Sequence, residues 1–201
     1  KTHNCLSAIN GNNFTNKKNT IACIYIVRDP RNLITSLKNH YELDYNDALE
    51  FMTNEKKFIF DYNTQNDYSD FQFISSWEKN FLSWKNQNDF PIKVIRYEDM
   101  LDKTYHIFED LIYFINDVLK IKEKINKKKL KNSISTTTFE KLKRYEKDYG
   151  FSEAISSKNN KKDIPFFYLG PDNDWKKILD TKFKEKLNTT FEKNLKYFSY
   201  L

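Results

Sequence analysis

Ile21 to Tyr41 reads IACIYIVRDPRNLITSLKNHY. Its first part, Ile21 to Val27, is a run of apolar and β-branched residues bounded by polar ones. Such a run predicts a buried strand of a parallel sheet. Arg28-Asp29-Pro30 ends it. Asp29 is a helix-capping residue, and Pro30 suits a first helical turn, where a missing N–H costs nothing. Leu33, Ile34, Leu37 and Tyr41 then recur at helical spacing, so the strand feeds a helix. Arg28 thus falls at the carboxyl end of a strand and Ser36 on the following helix. In open α/β sheets ligands bind outside that strand end. Arginine also matches a phosphate with paired charge-assisted hydrogen bonds.

Composition sets the bounds around this stretch. A chain of 201 residues makes one domain the default. Hydrophobic residues make up 39% and aromatic ones 16%, which argues against disorder despite a mean hydropathy of -0.80. The net charge of +6 favours an anionic ligand, but 34 basic and 28 acidic residues form an ordinary mixed surface. The lysines do not interleave with aromatics as in a nucleic-acid module, so no nucleic-acid partner is expected. Only Cys5 and Cys23 occur, which is neither a disulfide framework nor a CxxC metal pair. No metal site is expected. No apolar run approaches the ~18 residues of a membrane span, so no membrane partner is expected either.

Arg28 and Ser36, in the pattern RDPRN-x3-S after a hydrophobic strand, resemble the nucleotide 3′-phosphate signature of sulfotransferases. Members of that family use 3′-phosphoadenylyl sulfate as donor. The resemblance implies that Arg28 and Ser36 hold the donor's 3′-phosphate. Three further motifs follow the family in order. Lys1-Thr2-His3 is similar to its K-[ST]-H motif, which implies that His3 is the general base and that Lys1 contacts the transferring sulfuryl group. The chemistry suits both: imidazole titrates near neutrality, and an ammonium stabilises charge developing on a leaving oxygen. Tyr97-Glu98-Asp99, after the apolar run Pro91 to Ile95, resembles the family's YED and implies an adenine contact by Tyr97. Ser133 to Lys143 is similar to its T-S-F-x-x-M-K segment, with Thr138 for Ser and Leu142 for Met; Thr137 and Phe139 become the adenosine contacts.

The last segment, Phe166 to Leu179, aligns with R-K-G-x-x-G-D-W-K through Gly170, Asp174, Trp175 and Lys176. Gly170 is carried over as a cofactor-binding position. The family's Arg-Lys pair, which grips the 3′-phosphate, is Tyr168-Leu169 here. Charged hydrogen bonds contribute roughly 1.5–3 kcal/mol each, so losing two without replacement weakens donor binding by a hundredfold or more. Lys161 and Lys162 are candidates to replace them. Lys176 and Glu185 match half of the family's dimer motif, where Asp180-Thr181 replaces Thr-Val, and a homodimer is the matching expectation.

The resemblance implies an α/β, P-loop-like three-layer fold with a central parallel sheet. It lacks the N-terminal phosphosulfate-loop strand, since Gly11, Gly150 and Gly170 open no strand-loop-helix unit. Residues 1–201 then form a single sulfotransferase domain, the C-terminal portion of the full family domain. Truncation predicts that these residues alone are unstable or inactive. A small-molecule or glycan acceptor and a cytoplasmic location complete this reading. Its rivals are a nucleotide kinase, for which a Walker-type lysine loop and Mg²⁺ dependence are needed, and a non-catalytic nucleotide-binding or basic interaction module, a truncated relic.

Other elements follow from periodicity. Gly11 to Asn19 and Tyr62 to Ser69 read as loops, and Asp47 to Phe60 holds a short helix. Phe73 to Trp84 predicts an amphipathic helix, as does the segment after Asp102 or Thr104 with Ile107, Phe108, Leu111, Ile112 and Ile115 on one face. The seven lysines of Lys120 to Lys131 predict a solvated helix face or, more sharply, a docking patch for an anionic acceptor. Ser152 to Asp163 reads as a mobile loop, and Phe183, Leu187, Phe191, Leu195 and Phe198 as one terminal helix. His40 and His106 read as surface histidines.

Overall fold

The computed structural model describes residues 1–7, 12–60, 71–157 and 163–201. Gly11, Tyr62 to Ser69, Lys161 and Lys162 lie outside the described residues, and so do the readings that fall on them. The chain divides into two compact units. The first comprises Lys1–Val27 and Leu49–Val94, the second Arg28–Ala48 and Ile95–Leu201.

In the first unit, β1 (Cys23–Val27) lies beside β4 (Ile92–Arg96, whose last two residues lead into the second unit) in a parallel pair. The strand burial alternates. Cys23 and Tyr25 pack with Leu6, Trp84 and Phe90, while Ile24 is 41% and Ile26 54% exposed. The expectation of a strand buried throughout is corrected: one face of β1 is aliphatic and open. A run that is apolar at every position does not reveal which face packs. The short strands β2 (Phe58–Ile59) and β3 (Gln72–Phe73) pair antiparallel.

The helix expected from Phe73 begins later. Ser75 adopts φ 57° and donates its hydroxyl to the Glu55 carbonyl at 2.9 Å, which breaks the chain direction. Ser76 then caps α3 (Trp77–Lys85), accepting from the Lys79 amide. Phe73 and Ile74 therefore belong to strand and turn, although their spacing fits a helix. The helix expected within Asp47 to Phe60 is α2 (Tyr45–Thr53), which crosses the boundary between the units, and the remainder of that segment supplies β2.

The second unit is mainly helical. It opens with α1 (Pro30–His40), capped by Asp29 with Pro30 in the first turn, as expected. Next come α4 (Tyr97–Asp102), α5 (Thr104–Leu119), α6 (Lys127–Thr136) and α7 (Phe139–Tyr149). Lys120 ends α5 in the left-handed region, φ 57°, so the lysine run is not one helix face: only its second half lies on α6. Ser133 lies in the second half of α6, Thr137 follows its last residue, and α7 starts after Thr138. Within Ser152 to Asp163, β5 (Ile155–Ser156) pairs antiparallel with β6 (Asp163–Ile164).

A 3₁₀ turn (Gly170–Asp172) leads into α8 (Trp175–Ile178), α9 (Thr181–Thr190) and α10 (Glu192–Tyr197). Phe183, Leu187, Phe191, Leu195 and Phe198 are all buried with Ile34, but the single terminal helix is two, since Phe191 departs to φ −109°, ψ 17°. Among the described residues no helix is long and apolar enough to cross a membrane.

Candidate functional site

Arg28 leaves β1 at its carboxyl end, and the first two turns of α1 bring Ser36 back to it. Arg28 Nη1 donates to Ser36 Oγ at 3.1 Å. The guanidinium carbon lies 4.5 Å from the centroid of the Tyr97 ring, on the first turn of α4. Arg28 Nε is buried and has no hydrogen-bond partner among the described residues. Burial lowers the Arg28 pKa, opposed by Tyr97, Glu98, Asp29 and Tyr200. A buried guanidinium with an orphaned N–H is costly unless an anion meets it. This corner therefore fits a phosphate-bearing ligand.

The segment after the 3₁₀ turn docks on α1. The buried Asn173 donates Nδ2 to the Asn32 carbonyl at 2.9 Å and to Ser36 Oγ at 3.2 Å, and its Oδ1 lies 2.6 Å from Thr35 Oγ1. The Trp175 amide donates to Asn32 Oδ1 at 3.0 Å. The turn itself begins at Gly170, with φ 54°, and a Cβ there would sit 2.3 Å from Phe139 Cε2. Gly170 thus carries the Phe139 ring against its own Cα, joining α7 to the turn. The structure brings together Arg28, Ser36 and Tyr97 in one group and Phe139 and Gly170 in another, with Asn173 linking the turn to Ser36. Thr137 caps the C-terminal end of α6 and donates its hydroxyl to the Ser133 carbonyl at 2.9 Å.

A sulfotransferase domain family model matches residues 1–199. The chain belongs to the sulfotransferase family. No match is found among curated proteins. The crystal structure of mouse sulfotransferase SULT7A1 complexed with PAP is similar at a TM-score of 0.56 and 21% identity, over 86% of this chain and 57% of that one. The likeness is one of fold, and this chain spans less than two thirds of that protein's length.

In this sulfotransferase chain, Tyr168 and Leu169 stand where the family carries Arg-Lys. Glu146 accepts the Phe166 and Phe167 amides at 2.6 and 3.0 Å, and Lys143 Nζ donates to the Tyr168 carbonyl at 3.1 Å. The segment is thus anchored on α7. Lys1 and His3 lie in the first unit, both exposed. The His3 amide donates to Gln72 Oε1 at 2.6 Å, and its carbonyl accepts from Asn80 Nδ2 at 3.0 Å. Asn80 Oδ1 accepts from the Tyr25 hydroxyl at 2.9 Å, so β3, α3 and β1 together fix the His3 backbone.

Two contributors escaped sequence reasoning. Arg31, second arginine of RDPRN, is buried and holds Asp29 through Nε–Oδ1 at 3.0 Å and Nη2–Oδ2 at 2.7 Å, with Asn188 Oδ1 and the Tyr200 carbonyl as further acceptors. Its guanidinium lies 4.1 Å from the Trp175 ring centroid. It fixes the Asp29 cap instead of facing a ligand. Asn173 is the other. A lone Asn in a turn carries no burial signal, and only the α1 contact reveals it.

Proposed function

We propose that this protein moves a sulfuryl group from 3′-phosphoadenylyl sulfate to a hydroxyl or amine of a small-molecule or glycan acceptor. The donor supplies an activated phosphosulfate whose sulfur is attacked in line. His3 accepts the proton that the acceptor gives up as its bond to sulfur forms. Lys1 stabilises the charge left on the phosphate oxygen as the sulfur–oxygen bond of the donor breaks. Arg28 and Ser36 hold the 3′-phosphate, while Tyr97, Thr137, Phe139 and Gly170 bound the adenosine. The reading takes residues 1–201 as a single domain working in the cytoplasm, with Lys176 and Glu185 in a homodimer contact.

One observation carries this reading: in a chain of this family, Arg28 stands at the strand end with one nitrogen on Ser36 and a buried Nε unpartnered. The test is calorimetric titration of the whole protein with 3′-phosphoadenosine 5′-phosphate, followed by transfer of labelled sulfate to simple phenol and amine acceptors. Binding and transfer are expected. His3→Ala should lower turnover ~10²–10⁴-fold, the usual contribution of a general base, with nucleotide affinity retained. An unchanged rate removes His3 from the role. Tyr168-Leu169, which carries no cation, favours a second reading as a nucleotide-binding module without turnover. Nucleotide binding with no sulfate transfer to any acceptor would select it.

A further inference from the structure

We infer that Asn173 is a positioning residue that fixes the polarity of the Ser36 hydroxyl, turning it into a donor aimed at the nucleotide's 3′-phosphate. The inference rests on the nucleotide reading above. Its starting point is the hydrogen-bond count at one oxygen. A serine hydroxyl has one proton to give and two lone pairs to fill. Ser36 Oγ accepts from Arg28 Nη1 at 3.1 Å and from Asn173 Nδ2 at 3.2 Å. Both lone pairs are then occupied. Among the described residues no acceptor takes the Ser36 proton.

The orientation of the Asn173 amide is not open to a flip. Nδ2 also faces the Asn32 carbonyl at 2.9 Å, which only accepts, and Oδ1 faces the Thr35 hydroxyl at 2.6 Å. The Asn32 carbonyl therefore fixes the amide, which is buried; Thr35 Oγ1, itself 2.7 Å from that carbonyl, accommodates either orientation. A side chain so held imposes a single polarity on Ser36. Ser36 presents a donor and no acceptor. A phosphate oxygen, which only accepts and is charged, meets that donor with a charge-assisted hydrogen bond; a ribose hydroxyl in its place offers only a neutral, weaker acceptor. The R-K-G-x-x-G-D-W-K motif has glycine at the place of Asn173, so this contact belongs to the present chain.

The test compares 3′-phosphoadenosine 5′-phosphate with adenosine 5′-monophosphate by calorimetry, in the whole protein. The ratio of the two affinities reads the 3′-phosphate alone. Asn173→Gly should reduce that ratio roughly three- to tenfold, the weight of one hydrogen bond. Asn173→Asp keeps the shape but places an acceptor against Ser36, draws the proton inward, and should reduce the ratio further; it also serves if the glycine variant does not fold. In a Ser36→Ala background the Asn173→Gly change should leave the ratio where Ser36→Ala alone puts it.

A structural role alone lowers both affinities together and leaves the ratio at its original value, which overturns the inference. Equal loss of the ratio with and without Ser36 overturns it too. If the unaltered protein prefers neither nucleotide, the 3′-phosphate reading itself fails and this inference with it. If the preference is present and survives Asn173→Gly, only the inference falls.

Discussion

Gly170 combines two constraints in one residue. Its φ of 54° is a conformation that glycine adopts without cost, and the space where a side chain would start is filled by the Phe139 ring. Gly170→Ala must push the whole ring aside, since Cδ2, Cε2 and Cζ all lie within 2.5 Å of the added Cβ. Overpacking of this kind costs about 1–3 kcal/mol. In a Phe139→Ala background the clash partner is gone, and only the backbone strain of Gly170→Ala should remain. Chemical denaturation of the four proteins checks this; equal losses in both backgrounds would show that the ring does not set the cost. At this scale one motif named the right neighbours. Arg28 and Ser36 were legible as a pair of one family motif and do meet; Phe139 and Gly170 came from two separate motifs, and their contact was not legible. Nor were Asn173 and Arg31, because burial of a polar side chain is decided by what packs over it from distant sequence.

At the scale of elements, the corner from β4 into α4 is held by one ion pair. Arg96 grips Asp99 through Nε–Oδ2 at 2.8 Å and Nη2–Oδ1 at 2.6 Å, and reaches the Phe198 carbonyl at 2.6 Å. The hydrogen bond from Arg96 holds the Asp99 carboxyl below its ordinary value, reinforced by Coulombic attraction to Arg96 and Lys103. A depressed carboxyl contributes stability that is fully present above its unfolded pKa of roughly 3.9 and is lost as pH falls through the folded value. Thermal unfolding followed from neutral pH down to about pH 3 should therefore show a steeper acid loss in the native protein than in Asp99→Asn. Identical slopes would remove Asp99 from the acid response.

The same scale shows where local patterns mislead. Phe73, Ile74 and Trp77 keep helical spacing, yet Ser75 turns the chain between them. Spacing records which residues are apolar, and a single hydroxyl bonded to a distant carbonyl outweighs it.

At the scale of the whole molecule, the chain forms two compact units. The second is tied at its C-terminal end: the Tyr200 carbonyl accepts from Arg31 Nη2 at 2.8 Å, and the Tyr200 hydroxyl donates to Glu98 Oε2 at 2.7 Å. Burial and that bond to Glu98 raise the Tyr200 pKa, so the hydroxyl stays protonated and donating. The α/β class and the parallel pairing of its strands were legible in the apolar runs of Ile21 to Val27 and Pro91 to Ile95. The one-sided burial of the first strand was not, since nothing in IACIYIV separates the packed face from the open one.

The open face has a calorimetric consequence. Ile24, Ile26 and Val94 already meet water over part of their surface in the folded state, so unfolding adds less new hydration there than at a fully buried aliphatic such as Ile34. Heat capacity on unfolding tracks newly wetted apolar area, with a usual increment of about 12–15 cal/mol/K per residue. With Ile21, Leu101, Ile115, Leu119 and Ile121 exposed as well, scanning calorimetry of these 201 residues should return a smaller increment per residue than that.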